Sequence, residues 1–130
     1  MILDTTFIID LMEELPDAVA KMEQLHQEQL QIFITTPTIF ELWTGVAYGN
    51  QPEKEKQKIK LIIDNQCLLD LTTESAQHAG FINGTLQKQG QIIDPEDCLI
   101  AGIALHHNEP LLTRNTKHFK RIKGLKIETY

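Results

Sequence analysis

The feature that most constrains this chain is an alternation. Short apolar segments, each closed by a polar residue, are separated by stretches of helical periodicity. Met1–Leu3 reads as a short buried strand ending at Asp4, and Thr5 or Thr6 can cap a helix through Met12. Pro16 suits the first turn of a second helix, with Val19, Met22, Leu25 and His26 on one stripe. Gln31–Thr35 reads as a strand. Thr36-Pro37 opens a helix that carries Phe40, Glu41 and Trp43 and fades between Gly45 and Gly49. Asn50–Asp64 is a helix with a solvated face, on which Glu53–Lys56 and Glu55–Lys58 are spaced for weak pairing. Cys67–Leu71 reads as a strand and Thr73–Gln89 as a helix, and Asp94-Pro95-Glu96-Asp97 starts a helix ending near His107. Pro110–Thr113 and Lys126–Thr129 are the remaining strands. Strands separated by helices predict an α/β fold, with a mostly parallel sheet covered on both faces. At 130 residues with 42% apolar content, one domain over residues 1–130 is expected.

Several classes fall away. The apolar stretch Leu99–Leu105 is far short of the ~20 residues of a membrane span. The N-terminal apolar run is broken by Asp4 and Asp10 and has no basic residue ahead of it, so a signal peptide is not expected and a cytoplasmic location is. Cys67 and Cys98 form no CxxC pair and are expected to be small buried hydrophobes. The five histidines show no HExxH spacing, and nucleophile-elbow, Walker A and GxGxxG stretches are absent. Phe33, Trp43, Tyr48 and Phe81 read as core or partner surface rather than as base-stacking platforms.

Charge is unevenly spread. The net charge is −6, yet Arg114, Lys117, Lys120, Arg121, Lys123 and Lys126 hold six of the twelve bases in a stretch without acids. Such a segment can attract a polyanion locally, since screening confines these fields to about 8–10 Å. A solvated tail that aids solubility is the other reading.

In open parallel sheets, ligands bind outside the carboxyl ends of the strands. Asp4 ends the first strand, Asp97 sits at the third position of its helix, and Asn115 closely follows the Pro110–Thr113 strand. Glu41 lies a turn into its helix and can point back to the same edge. Asp94 serves as a helix cap, and Asp10 is expected to face solvent or cap locally. Clustered carboxylates repel unless a cation joins them, and Mg²⁺, a hard ion bound by carboxylates, waters and phosphates, suits this inventory.

Four segments in order, LDTTFIIDLM (3–12), ELWTG (41–45), DCLIAGIAL (97–105) and PLLTRNTKHFKRIKGLKI (110–127), resemble the PIN domain, specifically VapC-type toxins of toxin–antitoxin pairs. The resemblance spans essentially the whole chain. It implies a three-layer α/β/α fold and a Mg²⁺- or Mn²⁺-dependent endoribonuclease. By position it makes Asp4 and Asp97 metal ligands, Glu41 the second acid and Asn115 the fourth site position, with Thr5 and Thr113 in support. Many relatives carry aspartate where Asn115 stands; the amide leaves one-metal chemistry intact. Also implied are an antitoxin that covers the acidic site and a homodimer, with Phe40 or Trp43 offering contact surface. The basic run from Arg114 through Lys117, Lys120, Arg121 and Lys123 would hold RNA phosphates. The rival reading is a catalytically silent PIN-like protein that binds RNA or a partner. A receiver-like domain lacks support, having no acidic pair beside the first strand.

Overall fold

Successive side chains of a strand point to opposite faces, so even a two-residue strand can feed two cores. The computed structural model, which describes residues 1–130, shows this in β1 (Ile2–Leu3) and β4 (Leu111–Leu112). Leu3 and Leu112 join a cluster with Phe7, Ile8, Ile34, Leu42 and Ile59. Ile2 and Leu111 join the opposite cluster with Ile100, Ile103 and Phe119. With β2 (Phe33–Thr35), β3 (Cys67–Leu69) and β5 (Ile127–Glu128), they form a five-stranded sheet in the order β3-β2-β1-β4-β5, every pair parallel. Helices α1 (Thr5–Met12), α2 (Pro16–Gln27), α3 (Thr36–Tyr48) and α4 (Pro52–Ile63) supply the first core. Helices α5 (Thr73–Lys88), α6 (Pro95–His107) and α7 (Thr116–Phe119) supply the second. The expected three-layer α/β/α arrangement is what forms.

Chain direction positions the site. From β1 the chain proceeds to β2 and β3 on one side, then returns to place β4 and β5 on the other. The reversal leaves a crevice at the carboxyl ends of β1 and β4, the place where such sheets bind ligands. Leu3 is in register with Leu112, so Asp4 and Thr113 emerge side by side, and the Asp4 amide donates to the Leu112 carbonyl at 3.0 Å.

On the second face, α6 is buried along most of its length from Asp97 to Ala104. Gly102 lets α5 approach closely: a Cβ there would lie 2.6 Å from the Ser75 carbonyl oxygen and 2.8 Å from the Ala79 Cβ.

Several expectations are corrected. Asp4 itself occupies the N-cap position of α1, and Thr5 and Thr6 are its first residues, with hydroxyls committed to carboxylates rather than to capping. The buried stripe of α2 is Ala18, Met22 and Leu25, while His26 is exposed. Glu53–Lys56 pairs at 2.9 Å, but Lys58 turns inward to the Met12 carbonyl at 2.7 Å instead of pairing with Glu55. Cys98 is buried, whereas Cys67 is exposed, because β3 is an edge strand. The basic segment is not a tail: it contains α7 and leads into β5, and Phe119 and Ile122 anchor it in the second core. Asp10 is 2% exposed, contrary to the expected solvent-facing position. Tyr48 and Phe81 are largely exposed and belong to surface rather than core.

Candidate active site

Asp4 is held at the crevice by hydroxyls. Its Oδ2 accepts from Thr6 Oγ1 at 2.7 Å and from Thr113 Oγ1 at 2.6 Å. Thr113 in turn accepts from the Asn115 amide at 2.9 Å, so the turn after β4 is built around the same carboxylate. Both bonds satisfy a carboxylate oxygen on a side chain that is 2% exposed.

Asp97 is at the third position of α6, and its Oδ2 lies 3.1 Å from Asn115 Nδ2 and 2.8 Å from His118 Nδ1. Asn115 Nδ2 and His118 Nδ1 are themselves 2.9 Å apart. With its proton on Nδ1, His118 donates to Asp97. Burial raises the Asp97 carboxyl, the His118 bond opposes this, and the charge of Asp4 raises it again.

Glu41, one turn into α3, accepts from Thr5 Oγ1. Burial pushes its carboxyl up to about 7; the Thr5 bond opposes the shift, and Asp4, Asp97 and Glu96 reinforce it. The charges of Asp4 and Asp97 therefore act on Glu41, and that of Asp4 acts on Asp97. Asp94 adds a further carboxylate: Asp94, Asp97 and His118 offer ligand atoms within 4.8 Å of one another.

A shared pattern bears on a cation. In Asp4, Asp97 and Glu41 the Oδ2 or Oε2 atom is taken by a hydroxyl, amide or imidazole, and the other oxygen has no protein partner. No buried side-chain polar atom in the molecule lacks a partner, so these remaining oxygens reach solvent. Fixed carboxylates that each keep one open oxygen, with the charge of Asp4 raising the proton affinity of Glu41 and Asp97, fit a hard divalent cation with part of its water shell retained. Cys98 is no competitor, as burial pushes its thiol up to about 11.

The candidate residues thus fall into two sets. Asp4, Thr5, Glu41, Asp97, Thr113 and Asn115 are linked by the bonds and fields above. The basic run is more dispersed: Arg114 pairs with Asp10 at 2.9 Å, and Arg121 donates to the Ile92 carbonyl at 3.1 Å. Lys117, Lys120 and Lys123 have no acidic partner. Sequence reasoning missed Thr6, His118 and Asp10. Thr6 and Asp10 are four apart on α1, a spacing that puts them on one face. His118 is three after Asn115, and no isolated histidine signal marks it.

The PIN domain family model matches residues 1–125. The chain is 30% identical over 128 residues to the tRNA(fMet)-specific endonuclease VapC of Shigella flexneri, covering 98% of this chain and 96% of that one. It is 28% identical, with the same coverage, to ribonuclease VapC2 of Rickettsia felis. Among solved structures, VapBC2 from Rickettsia felis bound to a promoter DNA fragment matches with TM-score 0.90 at 26% identity, over 99% of this chain and 97% of that one. DNA-bound VapBC from Salmonella typhimurium matches with TM-score 0.88 at 29% identity, over 98% and 96%. The chain belongs to the PIN-domain family and, within it, to the VapC ribonucleases.

Proposed function

We propose that this protein is the toxin of a VapBC-type pair, a single-domain, cytoplasmic, Mg²⁺-dependent endoribonuclease whose site is Asp4, Glu41, Asp97 and Asn115. The observation that carries the reading is the set of carboxylates, each with one oxygen tied down and the other open to solvent, in which the charge of Asp4 acts on both Glu41 and Asp97. Asp4 and Asp97 would hold Mg²⁺, with Mn²⁺ as a substitute. The bound cation would neutralise the crevice, orient a phosphodiester and stabilise charge on its oxygens. Thr113 and Thr6 keep Asp4 in one rotamer, and Asn115 and His118 do the same for Asp97. Glu41 accepts the proton of the attacking water; a carboxyl pushed up to about 7 and anchored by Thr5 supports this role. The basic side chains after β4 bind flanking phosphates without reading sequence.

An antitoxin partner and a homodimer belong to the same proposal. The half-exposed aromatics Phe40 and Trp43 on α3 offer apolar contact area, and the structural relatives are VapBC complexes. The amide at Asn115 is the one feature that favours a silent binding protein.

The purified chain with Mg²⁺ should cleave RNA, and Asp4→Asn or Asp97→Asn should lower the rate at least 100-fold. Full activity in both variants overturns the site. A chain that binds RNA but takes up no Mn²⁺ supports the silent reading instead.

A further inference from the structure

Arg114 lies between two residues that bond the site's carboxylates, Thr113 to Asp4 and Asn115 to Asp97. Its own amide donates to Thr6 Oγ1 at 3.3 Å, and Thr6 donates to Asp4. The side chain then runs along α1 to Asp10, where Nη1 meets Oδ2 at 2.9 Å. Asp10 is almost fully buried, while the Arg114 side chain is 60% exposed. The same Oδ2 accepts from Tyr130 Oη at 2.6 Å, and the Tyr130 ring stands edge-on to Phe7 with centroids 4.7 Å apart.

A surface arginine is ordinarily mobile, and an exposed ion pair contributes little to stability. Here one nitrogen of the guanidinium is anchored to a buried carboxylate that a tyrosine also fixes. Apart from this Nη1 contact, the guanidinium donors of Arg114 have no protein partner. A planar fork with free donors, ion-paired at one nitrogen to a buried carboxylate beside the acidic site, matches the bidentate geometry of a phosphate and loses less entropy on binding it than an unpaired arginine would.

We propose that Arg114 forms a subsite for an RNA phosphate adjacent to the scissile one, and that Asp10 and Tyr130 are its positioning residues. The proposal rests on the ribonuclease reading and deepens it.

The test measures fluorescence anisotropy of a mixed-sequence single-stranded RNA in EDTA across a KCl series, with the full chain and folding checked by near-UV circular dichroism. Arg114→Gln should weaken binding about tenfold and reduce the salt slope by about 0.7, the loss of one phosphate contact to a single strand. Arg114→Lys should restore the slope but not the affinity, since the charge returns without the fork. Asp10→Asn and Tyr130→Phe should weaken binding several-fold with the slope unchanged, because the charge remains and only its placement is lost. If Asp10 merely neutralised Arg114, Asp10→Asn would tighten binding instead. Tyr130→Phe removes one hydroxyl and keeps the ring on Phe7, so it carries the test should Asp10→Asn fail to fold. Wild-type affinity or tighter in folded Asp10→Asn or Tyr130→Phe overturns the positioning role, and an unchanged salt slope in Arg114→Gln overturns the subsite. A wild-type chain that neither binds RNA in EDTA nor cuts it with Mg²⁺ fails the ribonuclease reading itself.

Discussion

At the scale of single residues, the site is a set of carboxylates each tethered by one oxygen. His118 is the tether that differs in kind, because its imidazole and the Asn115 amide converge on one atom of Asp97. Outer partners of this sort orient a ligand, and their loss typically costs 10–100-fold in metal affinity. His118→Ala should therefore lower Mn²⁺ affinity at least tenfold by calorimetry without RNA, and His118→Asn, which can place an amide near the Nδ1 position, should recover much of it. Glu41 yields a prediction about pH. Its carboxyl, ordinarily near 4.5, is pushed up to about 7, mainly by burial, so the folded state binds the proton more tightly than the unfolded one. The stabilising contribution of that proton is complete below 4.5 and is lost as the pH rises through about 7. In EDTA, urea melts should show Glu41→Gln gaining about 1–2 kcal/mol over wild type at pH 8 and little at pH 4, the figure being reduced for solvent screening. Equal gains at both pH values would contradict the assignment. Asp10, by contrast, could not be read from its neighbours, because an aspartate amid apolar residues on a short helix looks the same whether it caps, faces water or is buried. Its partners lie at Arg114 and Tyr130, more than a hundred residues away along the chain.

Among the elements, the pair α5–α6 shows how position decides what a glycine does. Gly102 sits where any Cβ would press on the Ser75 carbonyl and Ala79, all of it backbone or short side chain that cannot swing aside. Gly102→Ala should destabilise the fold by about 1–3 kcal/mol in denaturant melts. Gly80, on exposed α5 surface, has nothing within 4 Å of the position a methyl would take, and Gly80→Ala should stabilise by about 0.5–1 kcal/mol through helix propensity. Opposite signs from the same substitution on facing helices would confirm that packing, not propensity, governs Gly102. The helix starts were legible where local chemistry sets them: Pro16, Pro37 and Pro95 fall in first turns, and α6 begins immediately after Asp94. α7 was missed, since four residues carry too little periodicity to be seen without the core that receives Phe119.

For the molecule as a whole, the proposed metal site would couple cation binding to stability. A cation that binds only the folded state stabilises it by about 2.7 kcal/mol at a hundred times its dissociation constant. Mn²⁺ should therefore raise the melting temperature of the wild type by several degrees, and Asp4→Asn and Asp97→Asn should lose most of that increment; an equal increment in both variants would mean that the ion binds elsewhere. The order of strands and helices, the apolar segments that become β1 and β4, and the acids at strand and helix ends were determined by the sequence alone. Those features depend on local periodicity and on turn and capping chemistry, which act over a few residues. Only the tertiary structure decided that Asp4 sits beside Thr113, that Arg114 pairs with the buried Asp10, that His118 joins Asp97, and that Cys67 lies on an edge. Each of these depends on which strands become neighbours and in what register, and that is settled by the summed burial of two cores rather than by any one stretch of chain.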